Sequence, residues 1–272
     1  MKKIIKHFAV IGKPISHSLS PFIHQHFAKS LGLEIFYEKI EADEAVFAKV
    51  VNNFFAKGGS GLNITLPYKE KAYALADVTS ARAQKARAAN TLFFRKNELF
   101  ADNTDGVGLV RDLSTYLNLE GLTLLILGAG GACRGIIQPL LDARVRQISV
   151  ANRSEERLLA LAKDFPVLNY FSLSNLKGQF DLIINASSSS LAKNEFSLCP
   201  TLLKEETFCY DLSYNLAEKT SFICWAEGHC LPAKDGLGML IEQAAEAFYL
   251  WHGLRPETVG LKEFLLADKP QA

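Results

Sequence analysis

"LTLLILGAGGACRGIIQPLLDARVRQISVANRS", residues 122–154, passes from an unbroken apolar stretch through a glycine turn and a helical span into a second apolar stretch. Continuous rather than alternating apolar residues mark a strand covered on both faces, as in a parallel sheet flanked by helices. Strand, turn, helix and strand fit within about 30 residues, the size of a βαβ unit. Gly128, Gly130 and Gly131 stand where the first strand meets the helix. There, amides at a helix N-terminus receive a pyrophosphate with no Cβ in the way. Cys133 occupies the third position of the strict glycine motif. At the end of the second strand, an NAD site usually offers a carboxylate to the adenosine ribose. This chain offers Asn152, Arg153 and Ser154, followed by Arg157. A guanidinium clamps a 2′-phosphate that a carboxylate would repel, so the pattern favours NADP over NAD. Glu155 and Glu156 temper this: either could take a ribose contact, although both suit the first turn of the next helix, where the dipole favours acids.

Outward from this unit the same alternation continues. "FDLIINAS" (180–187) and "TFCYDLSY" (207–214) read as further strands, and "NRSEERLLALAKDF" (152–165) as a connecting helix. Upstream, "HFAVIG" (7–12) and "EIFYEKIEA" (34–42) read as strands. Between them lies a helix started by Pro21 and capped by Ser20, with Ile23, Phe27 and Leu31 on its buried face. Val46, Val50 and Phe54, with Phe47, Val51 and Phe55, share the apolar face of another helix. "NTLFFRKNELFA" (90–101) reads as a hairpin turning at Lys96 and Asn97. The chain is therefore α/β with two domains: residues 1–103 together with 238–272, where a final helix from about Leu237 through "MLIEQAAEAFYLWHG" crosses back, and a Rossmann-like domain, 104–237.

Composition narrows the function. The 272 residues carry a net charge of +1 with charges interspersed, which leaves no basic field for a nucleic-acid backbone. No apolar run approaches the roughly 20 residues that span a bilayer. Cys133, Cys199, Cys209, Cys224 and Cys230 form an odd set without C-x-x-C, as reduced thiols in a cytoplasmic protein would. His24 and His26 lie two apart on different sides of a helix, so no metal site is expected. In "GGSGLNITLPYKEKA" (58–72), Asn63 and Thr65 alternate with apolar neighbours and share a strand face, while Lys69 begins a helix led by Pro67. Asn90 precedes a strand, and Asp105 stands at a helix start.

Taken together, "GKPISHSLSPFIH", "LNITLPYKE", "AANTL", "NTDGVG", "LGAGGACRG", "NRS", "INAS", "YDLSY" and "DGLGMLIEQAA" occur in the order found in shikimate dehydrogenases, which this chain resembles from residue 12 to about 245. The resemblance implies a substrate domain and an NADP(H) domain with a cleft between them, and reversible reduction of 3-dehydroshikimate to shikimate. It implies that Ser16 and Ser18 hold the shikimate carboxylate, with Thr65 and Tyr214 nearby. Lys69 and Asp105 become the catalytic pair, and Asn63, Asn90 and Gln243 hold ring hydroxyls. Gly128, Ala129, Gly130, Gly131 and Ala132 cradle the pyrophosphate. Asn152, Arg153, Ser154 and Arg157 surround the 2′-phosphate, and Gly236 and Met239 lie beside the nicotinamide. The expected partners are small molecules, without nucleic acid or membrane, for a monomer or homodimer.

Hydroxyls recognise a carboxylate without placing a full charge beside the reacting centre. Ser16 and Ser18, two apart in an extended segment, would project to one side, with His17 facing away. The sequence departs from the family at Gln25, where Asn is usual, at "INASSSS" (184–190), where "NATSxG" is common, and at "NLAEKT" (215–220), which lacks a frequent proline. Two other readings share these motifs: a quinate/shikimate dehydrogenase that accepts NAD, and a catalytically silent sensor.

Overall fold

The computed structural model describes residues 5–187 and 196–268. The chain divides into two compact units, Met1–Gly108 with Leu240–Ala272, and Leu109–Met239. Residues 188–190, the end of the "INASSSS" departure, lie outside the described residues.

In the first unit, β1 (Lys6–Gly12), α1 (Ser20–Ser30), β2 (Ile35–Glu41), α2 (Phe47–Ala56), β3 (Gly61–Ile64), α3 (Lys69–Leu75), β4 (Val78–Thr79), α4 (Ala81–Ala86), β5 (Thr91–Arg95) and β6 (Glu98–Asp102) follow in order. The sheet order is β2-β1-β3-β5-β6-β4. β1 is parallel to β2 and β3, whereas β5 is antiparallel to β3 and β6. The β5–β6 hairpin turns at Lys96 and Asn97, with φ of 53° and 66°, the left-handed pair that a tight two-residue turn requires. α2 buries Phe47, Val51 and Phe54. Val46 does not join that face: the helix begins one residue later and Val46 is exposed at its cap.

The second unit holds β7 (Thr123–Leu127), α6 (Gly131–Asp142), β8 (Gln147–Asn152), α7 (Glu155–Asp164), β9 (Asn169–Ser172), β10 (Phe180–Asn185), β11 (Leu203–Asp211), α8 (Ser221–Gly228) and β12 (Ala233–Lys234). Its six strands are all parallel in the order β12-β11-β10-β7-β8-β9. Relative to the first strand this is 6-5-4-1-2-3, the doubly wound arrangement. Every residue of β7 is buried. Leu124 and Ile126 pack with Ile136, Ile137 and Leu140 of α6, whereas Leu125 and Leu127 pack with Phe222, Ile223 and Trp225 of α8. The unbroken apolar run exists because helices cover both faces.

Two further helices are α5 (Asp105–Leu113) and α9 (Leu237–His252), and the change of unit falls inside each. α10 (Leu261–Asp268) follows, its Phe264 stacking on Phe22 of α1 at 5.8 Å. His24 is fully buried among rings, 4.7 Å from Tyr37 and 5.1 Å from Trp251. Burial and the neighbouring His252 lower its pKa from 6.5 to about 3. Burial first, and then Lys6, lowers that of His252 to about 4. Both stay neutral in the folded protein while the unfolded chain protonates them near pH 6.5, so unfolding takes up protons as the pH falls. Between about pH 6 and 4.5 stability should drop by roughly 1 kcal/mol per pH unit for buried His24, and by less for His252, which water partly screens. Urea titrations across this range check it, and His24→Phe should remove more than half of the histidine contribution to the slope.

Candidate active site

The polar residues of the first unit converge because three chain segments meet at the end of β3. Ile64 N–H donates to the Asn90 carbonyl (2.8 Å), Asn90 N–H to the Asp102 carbonyl (3.0 Å) and Ala89 N–H to the Lys69 carbonyl (2.8 Å). This backbone lattice sets Lys69 at the first turn of α3 opposite Asp105 at the first turn of α5. Lys69 Nζ donates to Asp105 Oδ2 at 2.6 Å, with side-chain exposures of 11% and 5%. So short a charge-assisted bond, shielded from water, holds the ammonium in one place.

Asn90 is the hub. Its Nδ2 donates to Asp105 Oδ1 (2.8 Å), Thr104 Oγ1 (2.9 Å) and Gln243 Oε1 (3.1 Å), while its Oδ1 accepts from Thr104 N–H and Thr91 Oγ1, both at 2.9 Å. Asn103 Oδ1 accepts from Asp105 N–H (3.1 Å) and its Nδ2 donates to the Ala88 carbonyl (2.9 Å). Asn63 accepts from Tyr37 Oη at 2.7 Å, which turns its Nδ2 toward the Asn90 carbonyl and Thr91 Oγ1. Gln243 arrives from α9, where Gly108 lets the helix approach: a Cβ there would lie 2.6 Å from Gln243 N. Arg82 of α4 forks onto Asp102 with Nε and Nη2, each at 2.9 Å, and reaches Glu246 with Nη1 at 2.9 Å. Asp102 and Glu246 flank the Asp105 and Gln243 segments, so this part-buried network braces both.

The serine segment differs from its expected geometry. Ser18 N–H donates to the Ile15 carbonyl (3.0 Å), closing a turn over residues 15–18 in place of the expected extended segment. Buried Ile15 anchors the turn, because the chain must reverse between β1 and α1. Leu19 takes the cap position expected of Ser20, and Ser20 is already helical. Ser20 N–H instead donates to Ser18 Oγ at 3.3 Å, so Ser18 has a structural contact that its sequence position does not reveal. Lys39 Nζ donates to the Ser16 carbonyl, and the Ser16 side chain is exposed. The turn is tied to the Thr65 loop by Lys13 N–H on the Leu66 carbonyl (3.0 Å) and by Gly12, where a Cβ would stand 2.3 Å from Thr65 Cγ2. α3 begins at Lys69 rather than at Pro67, which lies in the turn closed by Tyr68 N–H on the Thr65 carbonyl (3.0 Å).

In the second unit the glycine turn lies between β7 and β10, where strand order reverses and open sheets bind ligands. Gly128 has φ of +108°, which favours glycine, and a Cβ added there would stand a tight 3.0 Å from the Ala186 carbonyl oxygen. At Gly130, the cap of α6, an added Cβ would meet nothing within 4 Å. The open backbone, with Ala129, Gly131 and Ala132 around it, suits the close approach of a pyrophosphate to the N-terminal amides of α6. Asn152 Nδ2 donates to the Ser154 carbonyl (3.1 Å), and Ser154 Oγ caps α7 by accepting from Arg157 N–H (3.3 Å). Arg153 and Arg157 are exposed, without an ion-pair partner among the described residues. Two uncommitted guanidinium groups beside a glycine turn fit a dinucleotide with an extra phosphate.

Ser187 Oγ donates to Asn185 Oδ1 at 2.7 Å, so the hydroxyl of the family's threonine is retained at this departure. Tyr214 follows β11 by three residues, and Gly236 N–H donates to the Ser213 carbonyl (3.0 Å) just before Met239 in α9. Sequence reasoning does not single out Tyr37, Thr91, Thr104 or Arg82; the threonines inside "ANTL" and "NTDG" were the available signal. All five cysteines are free thiols. Among the described residues there is no metal-ligand cluster and no helix long and apolar enough to cross a membrane.

A doubly wound sheet with a glycine turn, joined in one chain to a unit holding a buried lysine–aspartate pair, defines a dinucleotide-dependent oxidoreductase. Residues 10–92 match the shikimate dehydrogenase substrate binding domain, 111–214 the shikimate/quinate 5-dehydrogenase domain and 236–260 the shikimate 5'-dehydrogenase C-terminal domain. The chain belongs to the shikimate dehydrogenase family. It is 50% identical over 262 residues to the shikimate dehydrogenase (NADP(+)) of Legionella pneumophila strain Lens, covering 96% of this chain and 99% of that one. The corresponding protein of Marinobacter nauticus is 45% identical, with 96% and 98% covered. Among solved structures, shikimate 5-dehydrogenase from Thermus thermophilus, in complex with NADP(H) and shikimate, superposes with a TM-score of 0.85 at 35% identity, covering 95% of this chain and 98% of that one.

Proposed function

We propose that this chain catalyses the reversible, NADPH-dependent reduction of 3-dehydroshikimate to shikimate, a cytoplasmic step of aromatic amino acid biosynthesis. The observation that carries this reading is the 2.6 Å Lys69–Asp105 pair, fixed by Asn90 within a polar cluster of the family's pattern. NADPH, when bound, supplies the hydride that reduces the C3 carbonyl. Lys69, as an ammonium, hydrogen-bonds the C3 oxygen, stabilises the negative charge that develops there and delivers a proton to it. Asp105 orients Lys69, and at 4 Å such a pair attracts by about 4 kcal/mol at an effective dielectric of 20. Asn90 fixes Asp105 in turn. Asn63 and Gln243 bind ring hydroxyls beside Asn90, and the carboxylate is held by Ser16 and Ser18 near Thr65. The amides from Gly128 to Ala132 bind the cofactor pyrophosphate, Asn152, Ser154, Arg153 and Arg157 its 2′-phosphate end, and Gly236 and Met239 its nicotinamide end.

The test compares shikimate with quinate, each with NADP and NAD, by initial rates at the reduced-nicotinamide absorbance band. Shikimate with NADP should turn over fastest; faster quinate turnover with NAD would replace this reading by the quinate/shikimate one. A Ser16→Ala, Ser18→Ala double variant should raise KM for shikimate about 100-fold or more, through loss of two hydrogen bonds to a charged group. Normal shikimate affinity in that variant would remove the serines from the carboxylate site.

A further inference from the structure

We infer that Tyr210 and Asp112, which have no part in the chemistry, are positioning residues for the 236–239 segment at the nicotinamide end of the cofactor. The inference rests on the assignment of Gly236 and Met239 to the cofactor made above. Tyr210 lies on β11 with no exposure, its ring packed in the core with Leu124, Ile126 and Ile184. Phenylalanine would fill that apolar space, yet the side chain carries a hydroxyl with two specific partners. Tyr210 Oη donates to Asp112 Oδ2 at 2.6 Å and accepts from Met239 N–H at 3.3 Å.

Asp112, on the last turn of α5, is 98 residues away in sequence and only 7% exposed. Its carboxylate also fills the space beside Gly238, where a Cβ would stand 2.0 Å from Oδ1. Gly236 N–H is held separately by the Ser213 carbonyl at 3.0 Å. One short piece of backbone is thus fixed by a hydrogen bond at 236, by close packing at 238 and by the phenol at 239. Burial, reinforced by Asp112, pushes the Tyr210 hydroxyl well above its usual pKa of 10, so it remains protonated and keeps its donor role. Burying a phenol here is costly unless its hydroxyl is satisfied, and the Met239 amide meets the acceptor side that its bond to Asp112 leaves open.

The test uses the full chain with NADPH and 3-dehydroshikimate. Tyr210→Phe should raise KM for NADPH about fivefold or more, as expected for a lost buried hydrogen bond, while KM for 3-dehydroshikimate stays within about twofold. The deuterium isotope effect on hydride transfer should change with it, because a displaced nicotinamide alters the transfer step. Asp112→Asn keeps an oxygen for the hydroxyl and should shift the NADPH KM by less than half as much. Gly238→Ala, which pushes on the same carboxylate, should reproduce the Tyr210→Phe pattern and serves if that variant folds poorly. Met239→Ala separates the cofactor contact from the contacts that position it. If Met239→Ala raises the NADPH KM while Tyr210→Phe and Gly238→Ala lower only the melting temperature, the positioning role is overturned and the cofactor assignment stands. If none of the three moves the NADPH KM, the cofactor assignment itself fails.

Discussion

Lys69→Ala should lower kcat about 10³-fold or more, with KM for shikimate changing less than about fivefold. Removing the ammonium takes away both the charge that stabilises the C3 oxygen and the proton it donates, effects each worth about 10²- to 10³-fold. Ring hydroxyls and carboxylate retain their proposed partners, so the loss belongs to kcat. Removing one member of a buried ion pair leaves Asp105 uncompensated at 5% side-chain exposure and costs about 3–5 kcal/mol of stability. Melting curves therefore accompany the kinetics, and Lys69→Gln, which keeps a donor for Asp105, should lose activity comparably with less loss of stability. An unchanged kcat in a folded variant would remove Lys69 from the reaction.

The second large effect concerns the cofactor. Arg153→Ala combined with Arg157→Ala should raise KM for NADPH roughly 30- to 150-fold, the loss of about 2–3 kcal/mol of charge-assisted bonding to a phosphate. KM for NADH should change little, because the adenosine 2′-hydroxyl gives guanidinium no charge to hold. Both arginines are exposed, so the fold should tolerate their loss. Initial rates with each cofactor decide it: an equal loss with NADPH and NADH would mean that the arginines do not read the 2′-phosphate.

These expectations draw on features of unequal legibility. The βαβ unit at 122–154 and the hairpin at Lys96 and Asn97 are encoded within a few residues, by apolar continuity and by left-handed turn positions, and both are visible in the sequence. The family motifs bring Lys69, Asn90, Asp105 and Gln243 to notice. Their arrangement depends on bonds such as Asn90 to Gln243, 153 residues apart, and Arg82 to Glu246, 164 apart, which no local pattern carries. The turn at 15–18 escapes for another reason: a strand-to-helix reversal anchored by one buried isoleucine looks extended when read by alternation alone. Ser20 looks like a cap because proline suits either of the first helical positions, and tertiary packing chooses between them. The passage from one unit to the other lies inside α5 and α9, where the helix continues through the change and no loop composition marks it.

The most direct measurement follows NADPH absorbance when the purified chain is given shikimate and NADP. NADPH should appear one-for-one with 3-dehydroshikimate and disappear again when that product is supplied in excess. Heat of shikimate binding in a calorimeter, with no NADPH formed at any enzyme concentration, would contradict it and leave a silent binding protein.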